Sequence, residues 1–148
     1  MRKFLFFAFA LVAGALAFTS CDNSNDPNNP LVGTWSVWQS GDFYNEISFD
    51  GNSTYTTIQD YYFYDGEAGE LIPTPHEHVV IKGSYTIDGD IVTIHQTSQT
   101  ISMDGGAAEN IEWEPEDEQI KFKVEGNTLT LTRNYGTEYQ SEQVFTKK

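Results

Sequence analysis

From Leu31 to the C-terminus, apolar side chains recur at every second residue, and that rhythm limits the fold more than any other feature of the chain. A period of two places successive side chains on opposite faces of a strand. Val, Ile, Thr, Tyr and Phe dominate the same stretch, and these residues suit a pleated, half-buried surface. No run in it carries a helical period. The alternation predicts eight strands near 31–40, 42–49, 53–64, 78–87, 91–102, 111–125 (interrupted), 128–135 and 138–146.

Phase assigns faces. Ile47, Phe49 and Tyr55 fall on one side with Ile81, Gly83, Tyr85, Ile87, Val92 and Ile94, and so do Ile120, Phe122, Val124, Leu129 and Leu131. Lys82, Ser84, Thr86, Lys121, Lys123, Thr130 and Thr132 fall on the other. One greasy face and one wet face mean an antiparallel sheet that curls over its own core. Eight such strands predict an all-β fold, a single antiparallel up-and-down barrel.

Asp50-Gly51-Asn52, Asp88-Gly89-Asp90 and Glu125-Gly126-Asn127 read as tight turns, because Gly and Asn tolerate the positive φ that hairpins demand. Two hairpins share a pattern: YTIDGDIVTI (85–94) aligns with FKVEGNTLTL (122–131), one hairpin solution used twice. In an alternating meander all three turns fall at one end. The longer connections near 65–77 and 103–117 fall at the other. A closed end opposite a loop-rich end suits a barrel that takes a ligand at its mouth. Trp38, Phe49, Tyr55, Tyr85 and Phe122 are the large side chains expected to fill the interior.

The first 30 residues follow another logic. Arg2-Lys3 precede an apolar run from Phe4 to Phe18, interrupted by Gly14 and too short to span a bilayer. Phe18-Thr19-Ser20-Cys21 resembles a bacterial lipobox, with Phe18 in place of the usual leucine. The resemblance implies a signal peptide over 1–20, cleavage before Cys21, and acylation of the chain's single cysteine by diacylglycerol and palmitate-like chains. Two or more such chains anchor stably, at about 0.8 kcal/mol per buried methylene. Residues 22–30 contain no apolar side chain and read, with Cys21, as a flexible linker. Nine extended residues reach roughly 30 Å. The acidic, amide-rich composition resembles lipoproteins of the Bacteroidota. The expected address is the cell envelope, anchored by lipid at the outer membrane.

Gly33-Thr34-Trp35 opens the first strand just after that linker, and with ISFDGNSTYTT (47–57) and GSYTIDGDIVTI (83–94) it resembles the lipocalins and their calycin kin. The resemblance covers most of 31–148. It implies a ligand-binding barrel in which Trp35 plugs the closed end and a basic residue from the last strand, here Lys147, packs over the indole. In that family the tryptophan is a packing residue.

Other residues invite chemistry. Arg133 is the one arginine outside the leader, and alternation turns it inward at the loop-rich end. Its partner is either a ligand carboxylate or one of the chain's own acids. Tyr61, Phe63 and Trp113 lie in the aromatic, acidic stretches that border the same end and are the expected ligand contacts. His76 and His78, two apart, share a face if extended, and His95 follows on the next strand. They are the candidate metal ligands, although Glu77 faces away and no fourth ligand is evident; solvated histidines are the other reading. No Gly-x-Ser-x-Gly element and no phosphate loop occurs, so no cofactor and no enzymatic role are expected. With 22 acidic residues against 8 basic ones, the chain repels phosphate backbones, and nucleic acid is not an expected partner. The expected function is binding of a small apolar or amphipathic ligand by a lipid-anchored barrel. The alternatives are a filled barrel that meets other proteins through its aromatic loops and, ranked last, a carboxylate-based enzyme.

Overall fold

A computed structural model describes residues 28–112, 114 and 117–148. The expected signal peptide, the acylated Cys21 and most of the linker lie outside these residues, as does Trp113. Nine strands form: β1 (Gly33–Gln39), β2 (Phe43–Phe49), β3 (Thr54–Tyr61), β4 (Glu77–Asp88), β5 (Ile91–Met103), β6 (Glu109–Asn110), β7 (Asp117–Glu125), β8 (Thr128–Arg133) and β9 (Ser141–Lys147). Among the described residues no helix forms.

Antiparallel pairing runs β1–β2–β3–β4–β5–β7–β8–β9, and β9 returns to β1, so eight strands close an up-and-down barrel. Closure leaves no long unpaired edge. The two-residue β6 is an addition: it pairs with the outer half of β5, and of the strand expected over 111–125 the structure gives β7, from Asp117 to Glu125. The seam between β5 and β7 holds over five pairs, Ile91–His95 against Asp117–Lys121. Beyond His95, β5 runs on against β4 and β6 alone. The β1–β9 seam is shorter still, pairing Trp35 with Lys147 and Ser36 with Thr146.

In this meander the three glycine-containing turns, after β2, β4 and β7, fall at one end, the closed one, and the connections that follow β1, β3, β5 and β8 fall at the other, the open one. The inner face near the closed end is dense with Leu31, Trp35, Phe49, Tyr85, Ile87, Val92, Ile120, Leu129 and Phe145, all buried. Trp35 donates its indole N–H to the Leu31 carbonyl (2.8 Å), and the Lys147 ammonium lies 5.0 Å from the ring centroid. Gly33 has φ +133°, and a Cβ there would meet the Lys147 stem at 2.8 Å. The glycine of Gly-Thr-Trp therefore makes room for the lysine that covers the tryptophan.

Three local features differ from the sequence expectation. Asn29, placed in the linker, is buried: its Nδ2 donates to Tyr85 Oη (2.9 Å) and its Oδ1 accepts from Leu31 N–H (2.9 Å). Packing begins there because a polar side chain can join a core when its donors and acceptors are used. Trp38 does not fill the interior. It alternates with Val37 and Gln39, lies on the outer face at 52 % exposure, and stacks obliquely on Tyr44 (5.1 Å) and Tyr62 (5.5 Å). In the first turn the positive φ falls on Ser53, not Gly51, while the Asp50 carboxylate accepts from Asn52 N–H, Thr54 N–H and Thr54 Oγ1–H. Those bonds, that of the Thr54 hydroxyl above all, hold the Asp50 carboxyl below the usual range.

Candidate functional site: the open-end lumen

The closed half of the barrel is packed, but the open half is not. A cavity of about 410 Å³ lies between β2, β3, β4, β5, β7 and β8. Its floor is made by Ile47, Tyr55, Ile81 and Ile94, and its wall and mouth by Thr57, Gln59, Gln96, Glu114, Asp117, Glu118 and Arg133. That size is within the range of small-molecule sites, and the pairing of an apolar base with a few convergent polar groups is their usual lining.

Alternation explains why these residues meet. Ile47, Thr57 and Ile81 stand across one another in the β2–β3–β4 ladder, all on the inner face. Tyr55 lies across from Gly83, where the β4–β5 register shifts by a bulge at Lys82/Gly83. The missing side chain at Gly83 lets the Tyr55 ring lie against the β4 backbone: a Cβ there would come within 2.7 Å of Tyr55 Cε1. Burial pushes the Tyr55 phenol up to about 12, and the Glu118 charge adds to the rise. Tyr55 therefore stays a neutral hydrogen-bond donor at any physiological pH.

Arg133 faces the cavity, and its partner is an acid of the chain. Its Nε donates to Glu118 Oε1 (2.8 Å) and its Nη1 donates to Gln143 Oε1 (3.3 Å). Both side chains of the ion pair are about one-third to one-half exposed, so the pair fixes the guanidinium more than it stabilises the fold. Arg133 is the one basic lining residue against Glu114, Asp117 and Glu118. The mouth is net negative.

One buried group beside the lumen, itself not a lining residue, stands out. Asn45 is 5 % exposed, on the inner face of β2, and its Oδ1 has no hydrogen-bond donor among the described residues. It pairs in register with Gln59 and sits one inner position along β2 from Ile47; both of those residues line the cavity. A buried acceptor without a donor is costly, by about 1–3 kcal/mol.

The other expected contacts stand apart from the lumen. Tyr61 and Phe63 meet edge to face (5.7 Å), and Phe63 stacks on His76 (4.0 Å), forming an exposed cluster on the open-end loop rather than a cavity wall. The three histidines do not converge. His76 Nδ1 bonds to Asp104 (2.8 Å), His78 to Asp60 (2.5 Å) and His95 to Asp117 (2.6 Å). Each ring is committed to its own carboxylate, and among the described residues no group of His, Cys, Asp or Glu is arranged to hold a metal ion.

The inward amides Asn45, Gln59 and Gln96 were not singled out by the sequence reading, and Glu118 entered it only as part of an acidic stretch. The same two-residue count finds them: Asn45 is in phase with Ile47, Gln59 with Tyr55, Gln96 with Ile94, and Glu118 with Ile120. Comparison with protein-family models, with curated proteins and with solved structures finds no match, so the reading of this lumen rests on its own geometry.

Proposed function

We propose that this chain is an exported lipoprotein, anchored through Cys21, whose barrel binds a small amphipathic ligand in the open-end lumen. The observation that carries the binding half is the 410 Å³ cavity, with its apolar floor and its polar mouth. Burying an apolar ligand body against Ile47, Ile81 and Ile94 returns about 25 cal/mol for each Å² removed from water. The polar mouth then sets orientation. The anchoring half rests on the leader and on Phe18-Thr19-Ser20-Cys21. The resemblance to lipocalins supports the same assignment.

N-phenyl-1-naphthylamine, a neutral apolar fluorophore, tests the lumen. Its emission should rise on mixing with the domain, and Thr57→Trp, which fills the cavity from β3, should abolish the rise. Emission unchanged by Thr57→Trp would place the probe elsewhere and favour an interaction role for the exposed aromatic loop. Labelled palmitate should enter the full-length wild type and not Cys21→Ser, which should fractionate as a soluble protein. Absence of label in the wild type would refute the anchor.

A further inference from the structure

We infer that Tyr55 determines the specificity of the lumen: its phenol receives an uncharged hydrogen-bond acceptor, a carbonyl-type oxygen, carried on the inner end of an apolar ligand. This deepens the reading of the lumen as a ligand site and rests on it. Two tyrosines are buried in the barrel, on neighbouring strands, and their hydroxyls differ. Tyr85, in the packed half, uses its hydroxyl twice, accepting from Asn29 Nδ2 (2.9 Å) and donating to the Asp50 carbonyl (2.6 Å). Tyr55 is 4 % exposed and lines the lumen, yet among the described residues nothing makes a hydrogen bond to its hydroxyl. A buried phenol ordinarily finds a partner, and a polar group held from water without one is costly. The ring lies against the β4 backbone at Gly83, and the Glu118 charge on β7 acts on the phenol, so the hydroxyl is directed into the lumen. Nor is its oxygen sealed. Asn45 Oδ1 is the one fully enclosed side-chain atom without a partner among the described residues, so the partnerless Tyr55 oxygen stays open to the cavity it lines. A neutral phenol offers one O–H donor, and the ligand atom that meets it must be an acceptor. Burial and the nearby Glu118 charge weigh against an anionic one at that depth. With Ile47, Ile81 and Ile94 as the rest of the floor, the matching group is a ketone, ester or amide carbonyl on a hydrocarbon body.

Acetophenone and α-methylstyrene share one shape and differ in a C=O against a C=CH2, and benzoate carries an anionic head on the same ring. Each is titrated as a competitor of N-phenyl-1-naphthylamine against the wild type and Tyr55→Phe. Acetophenone should bind Tyr55→Phe about five- to tenfold more weakly, the net effect of one hydrogen bond. α-Methylstyrene and benzoate should bind the two proteins within about twofold of each other. The infrared carbonyl stretch of bound acetophenone should lie lower in the wild type than in Tyr55→Phe. Because the hydroxyl has no partner in the fold, Tyr55→Phe should melt at or above the wild-type temperature. Equal acetophenone affinity for the two proteins, an equal loss for α-methylstyrene, or a larger loss for benzoate would overturn the assignment while leaving the lumen as a binding site. A lower Tm with the same loss for every competitor would make the hydroxyl structural and overturn it as well. If the fluorophore itself fails to bind the wild type, it is the lumen reading that falls.

Discussion

Gly83→Ala is the sharpest perturbation of the barrel that the structure allows. A Cβ at this position would lie 2.0 Å from the His95 carbonyl oxygen and 2.7 Å from Tyr55 Cε1. Real Cβ atoms essentially never approach another heavy atom within 3.0 Å, so the β5 backbone at His95 would have to retreat by about 1 Å. That residue is the last pair of the five-pair β5–β7 seam. Overpacking of this kind costs about 1–3 kcal/mol, and each ladder hydrogen bond lost adds about 1 kcal/mol. We expect a loss of about 3–4 kcal/mol, a large share of the 5–15 kcal/mol typical of a domain. Thermal unfolding followed by circular dichroism should show a Tm lower by roughly 10–15 °C. Gly83 has no positive φ, so the effect is steric rather than conformational. Gly51→Ala is the matched control: nothing lies within 4 Å of its Cβ and its φ is ordinary, so its stability should change by less than about 0.5 kcal/mol. Tyr55→Ala should not rescue Gly83→Ala, because the tighter contact is with backbone. If Gly83→Ala unfolded within about 1 kcal/mol of wild type, β4 and β5 would not share this register at the bulge.

Three further outcomes follow from the closed end. Tyr85→Phe removes a hydroxyl that accepts from Asn29 Nδ2 and donates to the Asp50 carbonyl (2.6 Å), and should cost about 1–3 kcal/mol in urea denaturation. Trp35→Ala empties the fully buried plug and should cost about 3–5 kcal/mol, enough to leave the domain marginal. Asp50 has a folded-state pKa below its unfolded one, so its contribution is present above pH 4 and is lost as pH falls through the depressed value. Between pH 5 and pH 2.5 the wild type should therefore lose more stability than Asp50→Asn, as measured by denaturant midpoints at each pH.

The sequence carried the architecture because a period of two is a direct record of which side chains face inward. Strand order, the shared end of the three glycine turns and the inner set from Ile47 to Leu131 all derive from it. What escaped it has physical reasons. The bulge at Lys82/Gly83 shifts the β4–β5 register, so beyond it Gln99 and Ile101 stand across from Ile81 and Val79, where unbroken alternation would place Ser98 and Thr100 inside. Glycine carries no side chain to announce the change. Trp38 is large and apolar but out of phase, and its size suggested an interior position that its phase denies. Asn29 sits in a polar run whose composition reads as linker, yet two well-made hydrogen bonds allow its burial. The polar lumen was hidden for the converse reason: Asn45, Gln59, Gln96 and Glu118 occupy inward positions where a core pattern looks for hydrocarbon. Inward amides above an apolar floor mark the place where the barrel stops being core.

Methyl-resolved NMR gives the most direct test of that statement. Titration with N-phenyl-1-naphthylamine should shift the Ile47, Ile81 and Ile94 methyl signals, which line the lumen, and leave those of Ile58 and Ile72 in place. Shifts confined to Ile58 or Ile72, with the luminal trio unmoved at saturation, would mean that the barrel's open half is not a binding cavity.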